Sequence, residues 1–176
     1  KASRTVLVQT VSSVSETEEF LATAAGSDGL VAGVVGWVDL VAPDLADRLA
    51  ALRELPGGDR LVGIRHQAED EPDPRWLVRP DVLHGLRTLG DAGLVYDVLV
   101  RPPQLPAAVE LAGLVPSTRL VLDHAGKPPI ASGELADWAI KIAEIAGRPN
   151  VSCKLSGLVT EADWSAWQVS DLRPCV

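Results

Sequence analysis

The stretch VAGVVGWVDL, Val31 to Leu40, is apolar through its centre and closes on a tryptophan and an aspartate. Continuous apolar character, rather than strict alternation, marks a strand covered on both faces, and such strands belong to parallel sheets. TVLVQ (Thr5 to Gln9), LVGIRHQ (Leu61 to Gln67) and GLVYDVLV (Gly93 to Val100) repeat the pattern, while RLVLDH (Arg119 to His124) and VSCKLSGL (Val151 to Leu158) are more mixed. Six strands are expected, mostly parallel.

Helical punctuation fills the spaces between them. Ser15 and Glu18 have capping-box spacing ahead of Phe20 and Leu21. Asp44 precedes a face of Leu45, Leu49 and Leu52 that Pro56, Gly57 and Gly58 end, and Val82, Leu83, Leu86 and Leu89 follow Pro80 before Gly90 and Gly93. Pro106 suits a helix first turn, and Leu135, Trp138, Ile142 and Ile145 recur at helical intervals before Gly147 and Pro149. Strand and helix thus alternate throughout, which leaves an open doubly wound sheet or a (β/α) barrel. A whole barrel needs about 250 residues, and the chain has 176. Val169, Leu172 and Val176 also trace a helix face that has only begun when the sequence stops. The reading adopted is α/β: residues 1–176 as a single partial (β/α) barrel domain, an incomplete (β/α)8 TIM barrel with about six βα units. The runner-up is a complete doubly wound domain that binds a small ligand or protein without catalysis.

Composition removes several classes of function. With 47% hydrophobic residues the chain can bury a sizeable core, and 24 acidic against 16 basic residues give a net charge of −8. No basic cluster offers itself to a run of phosphates, so no nucleic-acid partner is expected. GLVAGVVGWV (Gly29 to Val38), the longest apolar stretch, is too short and glycine-rich to cross a bilayer, and the basic start KASR runs straight into a strand. No membrane association and no targeting signal are expected. Cys153 and Cys175 have neither zinc-ribbon spacing nor the density of a disulfide scaffold, so a reducing cytoplasm is expected.

In a (β/α) barrel, functional groups gather at the carboxyl ends of the strands. Those ends here carry Gln9; Trp37 and Asp39; Arg65, His66 and Gln67; Asp97; Asp123 and His124, with Lys127 close behind; and Lys154 with Ser156. His124, inside VLDHAGKP (Val121 to Pro128), is the sharpest candidate: its imidazole can bind a divalent metal, polarise a carbonyl or move a proton, against the alternative of a histidine bonded to loop backbone. Asp123 can orient its neighbour, but adjacent strand residues face opposite sides, so His124 is taken to point inward. The same alternation sets Arg65 against His66. Arg65 and Lys154 are cations in segments built for burial, and a buried cation needs an anion. That anion is either a substrate carboxylate or oxyanion, or an internal carboxylate among Asp39, Asp97 and Asp123. Trp37 is a candidate pocket wall or a core residue; His84 is read as a surface residue and Trp138, Trp164 and Trp167 as packing. AGKP lacks the spacing of a phosphate loop, and KLSGL lacks the first glycine of a nucleophile elbow, so Ser156 is a poor acyl-enzyme nucleophile. Water chemistry survives.

In this order and at these separations, VLVQ, GVVGWVDL, GIRHQ, VYDVLV, LDHAGKP and CKLSGL resemble the second amidohydrolase family, the branch of L-fuconolactonase and pyrone dicarboxylate lactonase. The resemblance extends from about Val6 to Trp164. It implies a (β/α)8 barrel that hydrolyses lactones or related cyclic esters, with one zinc-like divalent ion in some members and none required in others. It implies that the six strands correspond to the second through seventh. The His-x-His pair of the family's first strand and the Asp of its eighth have no counterpart in this sequence, so a weakly active or inactive truncated form is expected. By resemblance, His124 polarises the scissile carbonyl or approaches a metal whose remaining ligands lie outside this chain, Arg65 and Lys154 hold substrate anions, and His66, Trp37 and Asp123 line the pocket. Two uncovered sheet edges would favour self-association.

Overall fold

The computed structural model describes residues 3–176; Lys1 and Ala2, at the head of the KASR start, lie outside them. Six strands follow one another in the sheet in chain order, β1 to β6, with a helix after each of the first five. A doubly wound sheet would have rearranged that order about a switch point. The fold is α/β with six βα units in barrel succession. No helix among the described residues is long and apolar enough to cross a membrane.

The chain divides into two compact units. The first holds the described residues through His66, with Pro80–Asp97 and Ser117–Arg119; the second holds Gln67–Arg79, Val98–Pro116 and Leu120–Val176.

In the first unit lie β1 (Thr5–Val8), α1 (Val14–Ala25), β2 (Val31–Gly36), α2 (Leu45–Glu54), β3 (Leu61–His66) and α3 (Pro80–Asp91), with β4 (Val95–Val98) entering at its end. β1 pairs parallel with β2, and β2 with β3. The reading of a strand covered on both faces holds for β2, where Val31, Val34 and Val35 are buried, but not throughout β3, where Ile64 is fully buried and Val62 exposed, nor for β1, where Val6 is exposed. Their helices bury one face each: Thr17, Leu21 and Ala24 on α1, Leu45, Leu49 and Leu52 on α2, and Val82, Leu83, Leu86 and Leu89 on α3. Each buried leucine contributes about 1.5–3 kcal/mol by removal from water. The capping box expected at Ser15 and Glu18 does not form; α1 starts two residues earlier, with Ser13 as its N-cap and Ser15 inside. The reason lies in Glu16, whose carboxylate is drawn back to the amides of Thr10 and Val11 at 2.8 and 3.2 Å and so holds the loop after β1.

The second unit contains α4 (Leu105–Leu114), β5 (Leu120–Leu122), α5 (Ala136–Ala146), β6 (Val151–Cys153) and a short α6 (Val169–Leu172). β5 and β6 pair parallel through Leu120–Val151, Val121–Ser152 and Leu122–Cys153. Leu105, Leu111, Leu120, Leu122, Trp138 and Ile145 form its core. Both strands are shorter than their sequence runs, because Asp123 leaves β5 in a tight turn and β6 ends before Lys154.

Candidate functional site

Two constellations of polar side chains form at strand ends, one in each unit. In the first, Gln9 is fully buried just past β1, and Arg65 of β3 donates from Nε to Gln9 Oε1 at 2.8 Å and from a terminal nitrogen to the Gln9 carbonyl. The guanidinium therefore has neutral acceptors from its own unit. Trp37, one residue past β2, donates from its indole Nε1 to Nδ1 of His66 at 3.1 Å. The strand alternation expected at β3 thus sends Arg65 to β1 and His66 to the end of β2. Trp37 is itself fixed: the buried Thr17 hydroxyl accepts from its amide at 2.7 Å and donates to its carbonyl at 2.9 Å. This approach needs Gly36, because a Cβ there would sit 2.4 Å from the Thr17 methyl carbon.

The second constellation is built on an unusual turn. His124, Ala125, Gly126 and Lys127 have φ of 53°, 52°, 67° and 52°, so four successive residues are left-handed and three of them are not glycine. Each non-glycine residue there costs about 1–2 kcal/mol relative to a right-handed turn, and such strain persists only where surroundings over-determine it. The anchors are specific. Ala125 donates its amide to the Lys154 carbonyl at 3.1 Å, and its own carbonyl accepts the indole N–H of buried Trp138 at 2.8 Å. Lys127 Nζ is paired with Glu69, whose carboxylate Arg101 also approaches at 3.4 Å, and Glu161 lies 3.9 Å from the same ammonium. Lys127 and Glu69 are 12% and 11% exposed, so these charges face each other rather than water.

This turn lifts His124 to an intermediate exposure, where Nδ1 lies 2.9 Å from the hydroxyl of Ser156. Gly157 follows with φ 65°, and a Cβ on it would come within 2.8 Å of that same ring nitrogen. Ser156 and Gly157 in KLSGL are thus a seat for the histidine, a role that the spacing of a nucleophile elbow does not reveal. Asp123, expected to contact substrate, is instead fully buried, and Lys154 Nζ meets its Oδ1 at 2.6 Å. Of the two anions open to Lys154 the internal one is present. Glu69 is the residue that sequence reasoning passed over, and Trp138, read there only as packing, is also an anchor; an indole is apolar by composition, and nothing local marks its N–H as one.

A divalent ion needs three or four donors. Among the described residues no group of three or more His, Cys, Asp or Glu side chains could hold one. His124 supplies a single imidazole and the carboxylate beside it is taken by Lys154, so this chain's own residues do not fit a metal site. Burial first, then the Asp123 charge, push the Cys153 thiol above the ordinary value against a backbone hydrogen bond from Ala125.

Successive βα units with ionisable groups seated just past the carboxyl ends of the strands are the arrangement of (β/α) barrel enzymes. The amidohydrolase family matches residues 4–176, and the chain belongs to that family. It is 41% identical over 159 residues to the L-fucono-1,5-lactonase of Burkholderia ambifaria, covering 90% of this chain and 53% of that protein. It is 45% identical over 161 residues to the L-fucono-1,5-lactonase of Burkholderia multivorans, covering 88% and 53%. The crystal structure of an amidohydrolase from Burkholderia multivorans with bound zinc superimposes with a TM-score of 0.89 at 41% identity, over 98% of this chain and 61% of that one. The chain therefore spans about half the length of the curated relatives it matches.

Proposed function

We propose that the chain is part of a cytoplasmic lactonase that opens a sugar lactone or related cyclic ester by attack of water on the ring carbonyl. The observation that supports this reading best is His124, held on a strained turn with Nδ1 engaged by Ser156, in a chain 41–45% identical to two L-fucono-1,5-lactonases. Strain retained at one histidine is what a site that must present a ring in one orientation requires.

In the proposed reaction, water adds to the lactone carbonyl and a tetrahedral oxyanion forms. His124, with Nδ1 at Ser156, presents Nε2–H to the carbonyl oxygen and passes that proton on to the departing alkoxide, and the proton released by the attacking water returns to Nε2. The ring C–O bond breaks, the departing alkoxide takes up a proton, and a hydroxy acid is released. In the second unit Lys154, bound to Asp123, contributes positive potential for the acid rather than a free ammonium ligand, and in the first unit Arg65, held by Gln9, is given the same role toward a substrate anion. Asp123 acts through Lys154. His66 and Trp37 line the substrate side of the first constellation.

Because the chain spans 53% of the length of the lactonases it resembles, slow turnover is proposed for it alone. The test is acid release from L-fucono-1,5-lactone and a panel of other sugar lactones, followed at constant pH. Ring opening above the spontaneous rate, abolished in His124→Ala, is the expected result. A variant as fast as its parent overturns the role of His124, and parent rates typical of whole enzymes overturn the proposal of a weakly active form. The lateral edges of β1 and β6, the outermost strands of the sheet, are further proposed to drive self-association, which light scattering would show as a mass above that of one chain.

A further inference from the structure

The contact between Trp37 and His66 carries chemical information beyond packing. The rings are tilted by 32° with centroids 6.4 Å apart, and the indole Nε1 reaches His66 Nδ1 at 3.1 Å. An indole nitrogen can only donate, because its lone pair belongs to the ring. Nδ1 of His66 must therefore accept, so the proton of the neutral imidazole sits on Nε2.

We infer that Trp37 is a positioning residue that fixes His66 as its Nε2–H tautomer and so makes it a hydrogen-bond donor to an oxygen of the ligand. The consequence follows from electron counting. A nitrogen that carries a proton has no lone pair to give, and the other lone pair is already occupied by the indole. His66 then neither ligates a metal nor takes a proton from water while the bond stands; it can hold a lactone carbonyl, a sugar hydroxyl or a carboxylate. Direction as well as identity is set, since Thr17 grips both backbone groups of Trp37 and Gly36 lets it come close enough to do so. A histidine meant to exchange protons would be poorly served by such a partner. Ser156, which meets His124, can donate or accept and leaves that ring both options. The inference rests on the reading of His66 as a substrate-side residue of the proposed lactonase.

Nuclear magnetic resonance on this 176-residue chain, with 15N in the histidine and tryptophan rings, tests it. Three histidines make assignment tractable, with His66→Gln identifying the signals. Above neutral pH, the expected result is an Nε2-bound proton on His66 and a scalar coupling between Trp37 Nε1 and His66 Nδ1, which passes only through a hydrogen bond. A proton on Nδ1, or no coupling, overturns the inference, and this measurement needs no variant. In Trp37→Phe an Nδ1–H population of His66 should appear while the His84 and His124 signals stay in place; an unchanged His66 overturns the role given to Trp37. Titration with L-fuconate, the acid that ring opening of L-fucono-1,5-lactone yields, separates the two levels of the argument. A shift at Nε2–H with Nδ1 unmoved supports both, whereas coupling without any shift leaves the tautomer standing and removes His66 from the substrate side.

Discussion

His66 and His124 both stand at the end of a strand and both have Nδ1 in a hydrogen bond, yet the protein holds them in opposite ways. His66 ends a regular strand, and Trp37, a partner of fixed polarity, selects its tautomer. His124 stands on a left-handed turn, and its partner Ser156 leaves the tautomer open while a ring of anchors determines its position. The difference teaches that orientation and tautomer are separate variables. A ring that only has to donate can be fixed by one indole on relaxed backbone. A ring whose partner is ambivalent is fixed through the chain instead.

The comparison breaks most visibly at the two tryptophans. Trp138 is 6% exposed and satisfies the Ala125 carbonyl, whereas Trp37 is only half-buried. Trp138→Ala should lower stability by about 3–5 kcal/mol, as truncation of a buried aromatic does. Trp138→Phe keeps most of the volume and should still lose about 1–3 kcal/mol by orphaning a buried carbonyl. Trp37→Phe should fall below either in urea unfolding. Equal losses at the two sites would mean that the turn under His124 needs no special anchor.

Next in size is the pair beneath the turn. Removing one member of a buried ion pair costs about 3–5 kcal/mol when the survivor cannot reach water. Lys154 is 34% exposed and Asp123 not at all, so Asp123→Ala should cost about 2–3 kcal/mol, less than full burial of both would imply. The reverse change, Lys154→Ala, leaves the carboxylate buried and should be the worse of the two. The opposite ranking in thermal unfolding would show that Asp123 is reached by water after all.

Gly157→Ala sharpens the comparison without touching a charge. The added methyl would lie 2.8 Å from His124 Nδ1 on a residue with φ 65°. A stability loss of about 1–2 kcal/mol is expected from the left-handed backbone. The ring signals of His124 should move and those of His66 should not. A shift at both rings would merge what the comparison separates.

Much of this architecture could be read in the sequence. Apolar runs such as VAGVVGWVDL and stripes such as Leu45, Leu49 and Leu52 report burial directly, because burial is what selects them. Strand ends could be read too, and with them His124, Arg65 and Lys154. What could not be read is any choice that depends on a distant partner. Asp123 and Lys154 are separated by thirty intervening residues of chain, and their pairing competes on equal terms with a ligand until the strands are placed. The left-handed turn was equally hidden, since only Gly126 among its four residues announces that conformation. Ser15 and Glu18 fit a cap by spacing, but the nearer Glu16 had a better use for its carboxylate in the loop after β1.

That carboxylate gives the smallest effect, confined to the first unit. Burial raises the pKa of Glu16, but hydrogen bonds from the Thr10 hydroxyl and from the Thr10 and Val11 amides, with the Arg65 charge, outweigh it and hold the value below the ordinary 4.5. A folded-state value below the unfolded one means that the folded protein binds this proton less readily. Stability from Glu16 is then complete above the unfolded value and is lost as pH falls through the lowered folded value. Thermal midpoints of the parent and of Glu16→Gln should therefore differ at pH of about 6 and converge toward pH of about 2. Because the side chain is largely solvated, the gap should be small and should shrink with added salt. A gap that widened on acidification would reverse the sign of the linkage and place the loop after β1 under some other control. No comparable change should reach the His124 turn, whose anchors are an indole, a backbone amide and charges that face one another.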